Sequence, residues 1–153
     1  MVNGKVRILI VDDSAFMRKS LSLLLASDPD IEIIGQAKNG LEGVKMAKEL
    51  LPDVITLDIE MPVMDGLTAL KQIMTQSPTP VLMISSLTTE GADSTLKALE
   101  LGAVDFIPKE MSFVNVGISA IKEDLIRKVK TIARRRSLTE TLSRLRSIRN
   151  VRK

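Results

Sequence analysis

Val6-Arg7-Ile8-Leu9-Ile10-Val11 runs directly into Asp12-Asp13-Ser14, and this junction of an apolar run with a pair of acids decides the fold. Two further runs end in a comparable way. Val54-Ile55-Thr56-Leu57 stops at Asp58, and Ala103-Val104-Asp105-Phe106-Ile107-Pro108 stops at Lys109. Runs rich in Val, Ile and Leu that alternate with helical patterns read as parallel strands covered on both faces. An open parallel sheet binds ligands outside the carboxyl ends of its strands. Three acids and one lysine are therefore expected at a single edge. Clustered carboxylates attract a hard divalent cation, and a lysine beside them can pair with an incoming anion.

The intervening segments supply the helices. Phe16, Met17, Leu21, Leu24 and Leu25 recur at helical spacing, which predicts a helix from Ser14 to Ser27 with Ser14 or Asp13 as its N-cap. Asp28-Pro29-Asp30 ends it, and Ile31 to Ala37 reads as a second strand. Asn39 caps a helix from about Gly40 to Leu51, which Pro52 closes. Met61-Pro62-Val63-Met64-Asp65-Gly66 is a turn leading into a helix through Leu67, Leu70, Ile73 and Met74. Val81-Leu82-Met83-Ile84 is the fourth strand, ending at Ser85-Ser86. Leu96, Leu99 and Leu101 mark a helix that stops at Gly102. A last helix is expected to start near Val116 to Ser119 and to run to about Arg135. The pattern is a βα unit repeated about five times, the signature of a doubly wound α/β sheet.

Composition removes several classes of chemistry. The 153 residues suggest one domain plus an appendage, and an apolar fraction of 44% can supply an ordinary core. With no His there is no Ser-His-Asp hydrolase, no His-ligated metal and no phosphohistidine on this chain. With no Cys there are no disulfides, thiolates or zinc-thiolate sites, which fits a cytoplasmic location. Aromatics are 2%, too few to serve base stacking. No apolar run approaches the ~18 residues of a membrane span, and no secretion signal is visible at the amino terminus. Neither a membrane nor a nucleic acid is the expected partner. The net charge of +3 is uneven. Residues 122–153 carry twelve Lys/Arg against three Asp/Glu, whereas residues 1–121 carry ten against sixteen. The basic character thus belongs to the carboxyl end. Lys128, Lys130, Arg134, Arg135 and Arg136 read as a solvated helix face and charged linker in preference to a polyanion patch.

These residues together carry a resemblance. Val11-Asp12-Asp13-Ser14, Leu57-Asp58-Ile59-Glu60-Met61-Pro62-Val63-Met64-Asp65-Gly66 and Phe106-Ile107-Pro108-Lys109 resemble the receiver domain of two-component response regulators over residues 4–135. Asp28-Pro29-Asp30-Ile31-Glu32, the run from Pro78 to Thr88 and the run from Leu99 to Lys109 resemble, more narrowly, the receiver half of chemotaxis protein-glutamate methylesterase. The resemblance implies a flavodoxin-like, five-stranded parallel sheet of order 2-1-3-4-5 with helices on both faces. It implies Asp58 as the acceptor of a phosphoryl group from a sensor histidine kinase. Asp13, Asp58 and the backbone carbonyl of Glu60 would hold Mg2+, with Asp12 orienting metal-bound water. Lys109 would pair with Asp58 before phosphorylation and with the phosphoryl group after it. Ser85 matches the switch hydroxyl and Phe106 the aromatic that turns inward with it. Catalysis by such a domain is limited to its own phosphorylation and slow dephosphorylation.

The chain departs from the family pattern at two places. Glu110 follows Lys109 where the family usually has Pro, and Glu110 could compete for the lysine. Glu60 adds a negative side chain beside the acceptor, where it is expected to slow or redirect the water that hydrolyses the acyl phosphate. Leu87 lies near the expected mouth of the site, with a packing or a binding role both open. Residues 1–136 are expected to form the receiver and 137–153 a basic tail or the start of an interdomain linker. Leu138, Leu142, Leu145 and Ile148 form a narrow stripe there, read as a short amphipathic helix or a frayed segment. A methylesterase active site is not expected in this chain. The regulated target is then a methylesterase domain outside it, or a separate protein if the receiver stands alone. A Mg2+-dependent phosphatase on a similar sheet is the alternative from another class. The acid two positions after the nucleophile in haloacid-type phosphatases is Asp, against Glu60 here.

Overall fold

A computed structural model of the protein describes residues 4–85, 88–109 and 118–151. Five strands form one parallel sheet: β1 (Val6–Val11), β2 (Ile31–Ala37), β3 (Val54–Asp58), β4 (Val81–Ser85) and β5 (Asp105–Pro108). Five helices join and flank them: α1 (Ala15–Ala26), α2 (Gly40–Leu50), α3 (Gly66–Gln76), α4 (Thr89–Glu100) and α5 (Ile118–Val151). The strand order is β2-β1-β3-β4-β5, the doubly wound order expected.

Alternation along the strands divides the interior in two. Ile8 and Ile10 of β1 join Met17, Leu21 and Leu25 of α1 and Leu125 and Val129 of α5 in one cluster. Leu9 and Val11 join Val44 of α2, Leu70 and Ile73 of α3 and Ala98 of α4 in the other. The central strands β1, β3 and β4 are buried on both faces, which is why they read as unbroken apolar runs. Met83 lies in the second cluster, with Met61, Met64 and Met74 packed against it, so these methionines are packing residues.

Polar caps set the helix starts. Ser14 Oγ accepts from the Met17 N–H, Asn39 Oδ1 from Glu42, Asp65 Oδ1 from Thr68, and Thr88 Oγ1 from Gly91. At the opposite edge of the sheet, the Arg7 guanidinium donates to the Leu50 and Leu51 carbonyls, both at 3.0 Å. It thereby satisfies the carboxyl end of α2.

The helices expected through Phe16 and Leu96 form, and both residues stand on exposed positions of them, at 70% and 61%. One expectation needs correction. The last helix does not end near Arg135; α5 continues to Val151. Its buried positions stop at Ala133, so the apolar signal ends there, yet no Gly or Pro follows to stop the helix. Arg136, which donates to the Pro52 carbonyl at 2.9 Å and pairs with Glu140, carries the helix past the body. Leu138, Leu142, Leu145 and Ile148 are all exposed on this extension.

Much of the basic surface is paired. Lys128 lies 3.7 Å from Asp105, and Lys130 lies 2.7 Å from Asp28 and 3.2 Å from Asp30. Among the described residues no helix is long and apolar enough to cross a membrane.

Candidate functional site

Strand register builds the site. Val11 pairs with Leu57 across the parallel β1–β3 ladder, so Asp12 and Asp58 occupy the next position on neighbouring strands. Asp58 in turn pairs with Ile84, which places Ser85 one residue further along β4. Ser85 pairs with Pro108, and the Lys109 N–H donates to the Ser85 carbonyl at 2.6 Å. Four strands thus bring Asp12, Asp13, Asp58, Ser85 and Lys109 to one edge.

Asp12, Asp13 and Asp58 each offer a carboxylate oxygen, and these oxygens lie within 4.8 Å of one another. Asp12 and Asp58 are buried and Asp13 is exposed. Asp58 Oδ1 accepts from the Glu60 N–H at 3.3 Å, and Lys109 Nζ lies 3.4 Å from Asp58 Oδ2. Asp12 Oδ1 accepts from the Ser14 N–H at 2.9 Å, whereas Asp12 Oδ2 is buried with no hydrogen-bond partner among the described residues.

The electrostatics follow from this crowding. Burial, and then repulsion from Asp12, pushes the Asp58 carboxyl up to about 7, against the opposing pull of Lys109 and the Glu60 N–H. Burial also raises Asp12, partly countered by the Ser14 N–H and Lys109. Burial disfavours the Lys109 ammonium, but attraction from Asp58 and Asp12 outweighs it and the lysine is held above its ordinary value.

The donor set is all oxygen, it is concentrated, and one buried carboxylate oxygen has no partner among the described residues. That combination fits a hard divalent cation and does not suit a soft one.

The loop after β3 is held tightly against the site. The Gly66 N–H donates to the Ile59 carbonyl at 2.8 Å, closing residues 59–66 back onto the strand end. A Cβ on Gly66 would stand 2.2 Å from the Asp58 carbonyl oxygen. Within the loop the Met64 N–H donates to the Pro62 carbonyl at 2.8 Å, a γ-turn that leaves Val63 at φ 70. This is a strained position for a β-branched residue. The sequence reading took Asp65-Gly66 for a turn signal; the close approach was not visible, because its partner is the strand end.

Phe106 is half-buried against the cluster under α2, α3 and α4. Its carbonyl accepts from Lys128 Nζ at 3.2 Å. Glu60 is exposed at the site's margin. Glu110 and Leu87, both singled out in the sequence, lie outside the described residues. Sequence reasoning passed over Arg18, whose Nη1 donates to the Asp12 carbonyl at 2.7 Å. Its distance of six residues from Asp12 matches no familiar motif.

The doubly wound sheet carries an acid cluster and a lysine at its carboxyl edge, and comparison with known proteins gives the family that the chain belongs to. The family model for the response regulator receiver domain matches residues 8–118, and the chain belongs to that family. Its likeness within the family is to chemotaxis methylesterases. The chain is 60% identical over 131 residues to protein-glutamate methylesterase/protein-glutamine glutaminase 1 of Oleidesulfovibrio alaskensis, which covers 86% of this chain and 36% of that protein. The chain thus spans little more than a third of the length of such relatives. The crystal structure of the response regulator domain of Thermotoga maritima CheB superposes with a TM-score of 0.77 at 48% identity, covering 85% of this chain and 97% of that one. The CheX-CheY-BeF3-Mg+2 complex of Borrelia burgdorferi gives a TM-score of 0.69 at 34% identity, covering 83% and 88%. The general role of such receivers is phosphorylation-controlled regulation.

Proposed function

We propose that Asp58 accepts a phosphoryl group from a phosphohistidine on a sensor kinase and that this switches a protein-interaction surface. The observation that carries the proposal is the environment of Asp58: buried at the end of β3, beside Asp12 and Asp13, with Lys109 Nζ 3.4 Å away. An Asp58 carboxylate oxygen forms a bond to phosphorus while the P–N bond of the donor imidazole breaks, giving an acyl phosphate.

Asp13, Asp58 and the Glu60 carbonyl would hold Mg2+, with Asp12 acting through bound water. When bound, the cation neutralises the crowded carboxylates and offsets charge on the phosphoryl oxygens. Lys109 pairs with Asp58 in the resting state and with a phosphoryl oxygen afterwards. The Ser85 hydroxyl donates to the phosphoryl group, and Phe106 turns inward as that hydroxyl moves. The surface of α4, β5 and α5 is the bistable element that reads the change.

The likeness to methylesterases supports an esterase domain as the regulated target. In that arrangement the unphosphorylated receiver restrains the esterase and phosphorylation releases it. Incubation with acetyl phosphate, read by intact-protein mass, tests the chemistry. One added phosphoryl group that requires Mg2+ and is lost in Asp58→Ala is the expected result. Incorporation that survives Asp58→Ala refutes it.

A further inference from the structure

Arg18 lies one turn into α1, half-buried, and the only side-chain hydrogen bond it makes among the described residues runs backwards to the Asp12 carbonyl at 2.7 Å. That carbonyl precedes the helix ladder, which begins where the Ser14 carbonyl accepts from the Arg18 N–H at 3.0 Å. The Asp12 N–H is taken by the Ala37 carbonyl at 3.0 Å, and Asp12 Oδ1 by the Ser14 N–H. With Arg18 on the carbonyl, the main chain of Asp12 is held at both ends.

The next residue depends on this. Asp13 is exposed, and its side chain makes no hydrogen bond or ion pair among the described residues. The position of its carboxylate therefore rests on its backbone, and the Asp12–Asp13 peptide is oriented by the bond from Arg18. A main-chain amide plane fixed by a charged donor is a stiff support for the ligand beyond it.

We propose that Arg18 is a positioning residue for the divalent-cation site, holding the Asp12–Asp13 peptide so that the Asp13 carboxylate stands beside those of Asp12 and Asp58. This rests on the assignment of the acid cluster as a cation site. It also makes a prediction opposite in sign to the simplest alternative. A guanidinium near the cluster repels a cation, so a purely electrostatic Arg18 weakens binding and its removal tightens it. A positioning Arg18 strengthens binding and its removal loosens it.

The test is titration of the full chain with Mg2+ by isothermal calorimetry, for the wild type, Arg18→Met and Arg18→Lys. Loss of a supporting contact to a metal ligand typically costs about 10- to 100-fold in affinity. Arg18→Met is expected to raise the Mg2+ Kd about tenfold, and Arg18→Lys, which keeps a charged donor, to recover part of that loss. In parallel, the Mg2+ concentration giving half the maximal rate with acetyl phosphate rises by a like factor. The rate at saturating Mg2+ stays within about threefold of wild type, since Asp58 and Lys109 are untouched. Unchanged or tighter Mg2+ binding by Arg18→Met overturns the proposal, as does a lysine variant no better than methionine. Failure of the wild type itself to bind Mg2+ overturns the assignment of the site, and this inference with it. Thermal midpoints measured in EDTA separate a lost contact from a lost fold.

Discussion

Replacing Gly66 with alanine adds one methyl group and should damage both the fold and the chemistry. The new Cβ meets main-chain atoms: the Asp58 carbonyl oxygen at 2.2 Å, the Ile59 Cα at 2.6 Å and the Asp58 carbonyl carbon at 3.0 Å. Ordinary contact needs roughly 3.4 Å or more. The loop must therefore retreat by about 1 Å, against the 2.8 Å bond from the Gly66 N–H to the Ile59 carbonyl. Forced overpacking of this kind costs about 1–3 kcal/mol. Alanine returns only about 0.4–1 kcal/mol by restricting the unfolded chain. The net loss is about 1–2 kcal/mol, or a fall in Tm of roughly 3–8 °C for a chain of this size. The atoms that move belong to Asp58, the proposed acceptor, and a displacement of about 1 Å can cost on the order of 100-fold in rate. Differential scanning calorimetry in EDTA and the initial rate of phosphoryl incorporation from acetyl phosphate measure the two effects. Gly35→Ala is the control, since its Cβ meets the tips of Met46 at 2.6 Å and Leu50 at 2.9 Å, which can swing aside. Its rate should match wild type. A Gly66→Ala protein with wild-type Tm and a rate within twofold of wild type refutes the reasoning.

Asp58→Asn should stabilise the cation-free protein. The Asp58 carboxyl is pushed from 3.8 to about 7 in the folded state, so wild-type stability falls as pH rises between those values and levels off above them. The interval is worth at most about 4 kcal/mol, and loss of the Lys109 pair should reduce the gain to about 1–3 kcal/mol at pH 8. Urea unfolding in EDTA at pH 4.5 and pH 8 reads this, and Mg2+ should narrow the difference. A variant less stable than wild type at pH 8 would contradict it. Asp28 behaves in the opposite sense. Its hydrogen bond to Lys130 holds the carboxyl below its ordinary value, so the stabilisation is present above pH 3.8 and lost as pH falls through the depressed value. Asp28→Asn should lower Tm at pH 7 by on the order of a degree or two, and the difference should vanish in 1 M salt. Glu60→Asn should shorten the lifetime of the acyl phosphate a few-fold, measured by decay of the phosphorylated mass; an unchanged lifetime removes the role assigned to Glu60.

Much of the architecture was legible because its determinants are local. Unbroken apolar runs rich in β-branched residues mark β1 and β3, and Ser14 and Asn39 stand immediately before the helices they cap. The acids were legible because a charged residue ending a buried strand has few places to stand. Spacing through Phe16 and Leu96 finds a helix without finding the edge of its buried face, and both residues stand exposed. The extension of α5 was missed because helix continuation needs no apolar signal, only the absence of a stop.

By itself, then, the sequence determined the alternation of strand and helix, the absence of histidine and cysteine chemistry, and the strand ends at which Asp12, Asp58 and Lys109 stand. Tertiary structure alone decided how those ends meet. The β1–β3 register puts Asp12 beside Asp58, and their shared burial raises the Asp58 carboxyl to about 7. It also decided that Gly66 has no room for a methyl group, that Arg18 reaches the Asp12 carbonyl, and that Arg136 reaches Pro52 across 84 residues of chain. The physical reason is one of range. Propensity, capping and periodicity act between residues a few positions apart, whereas desolvation, main-chain approach and charge coupling depend on distances that exist only once the sheet has closed.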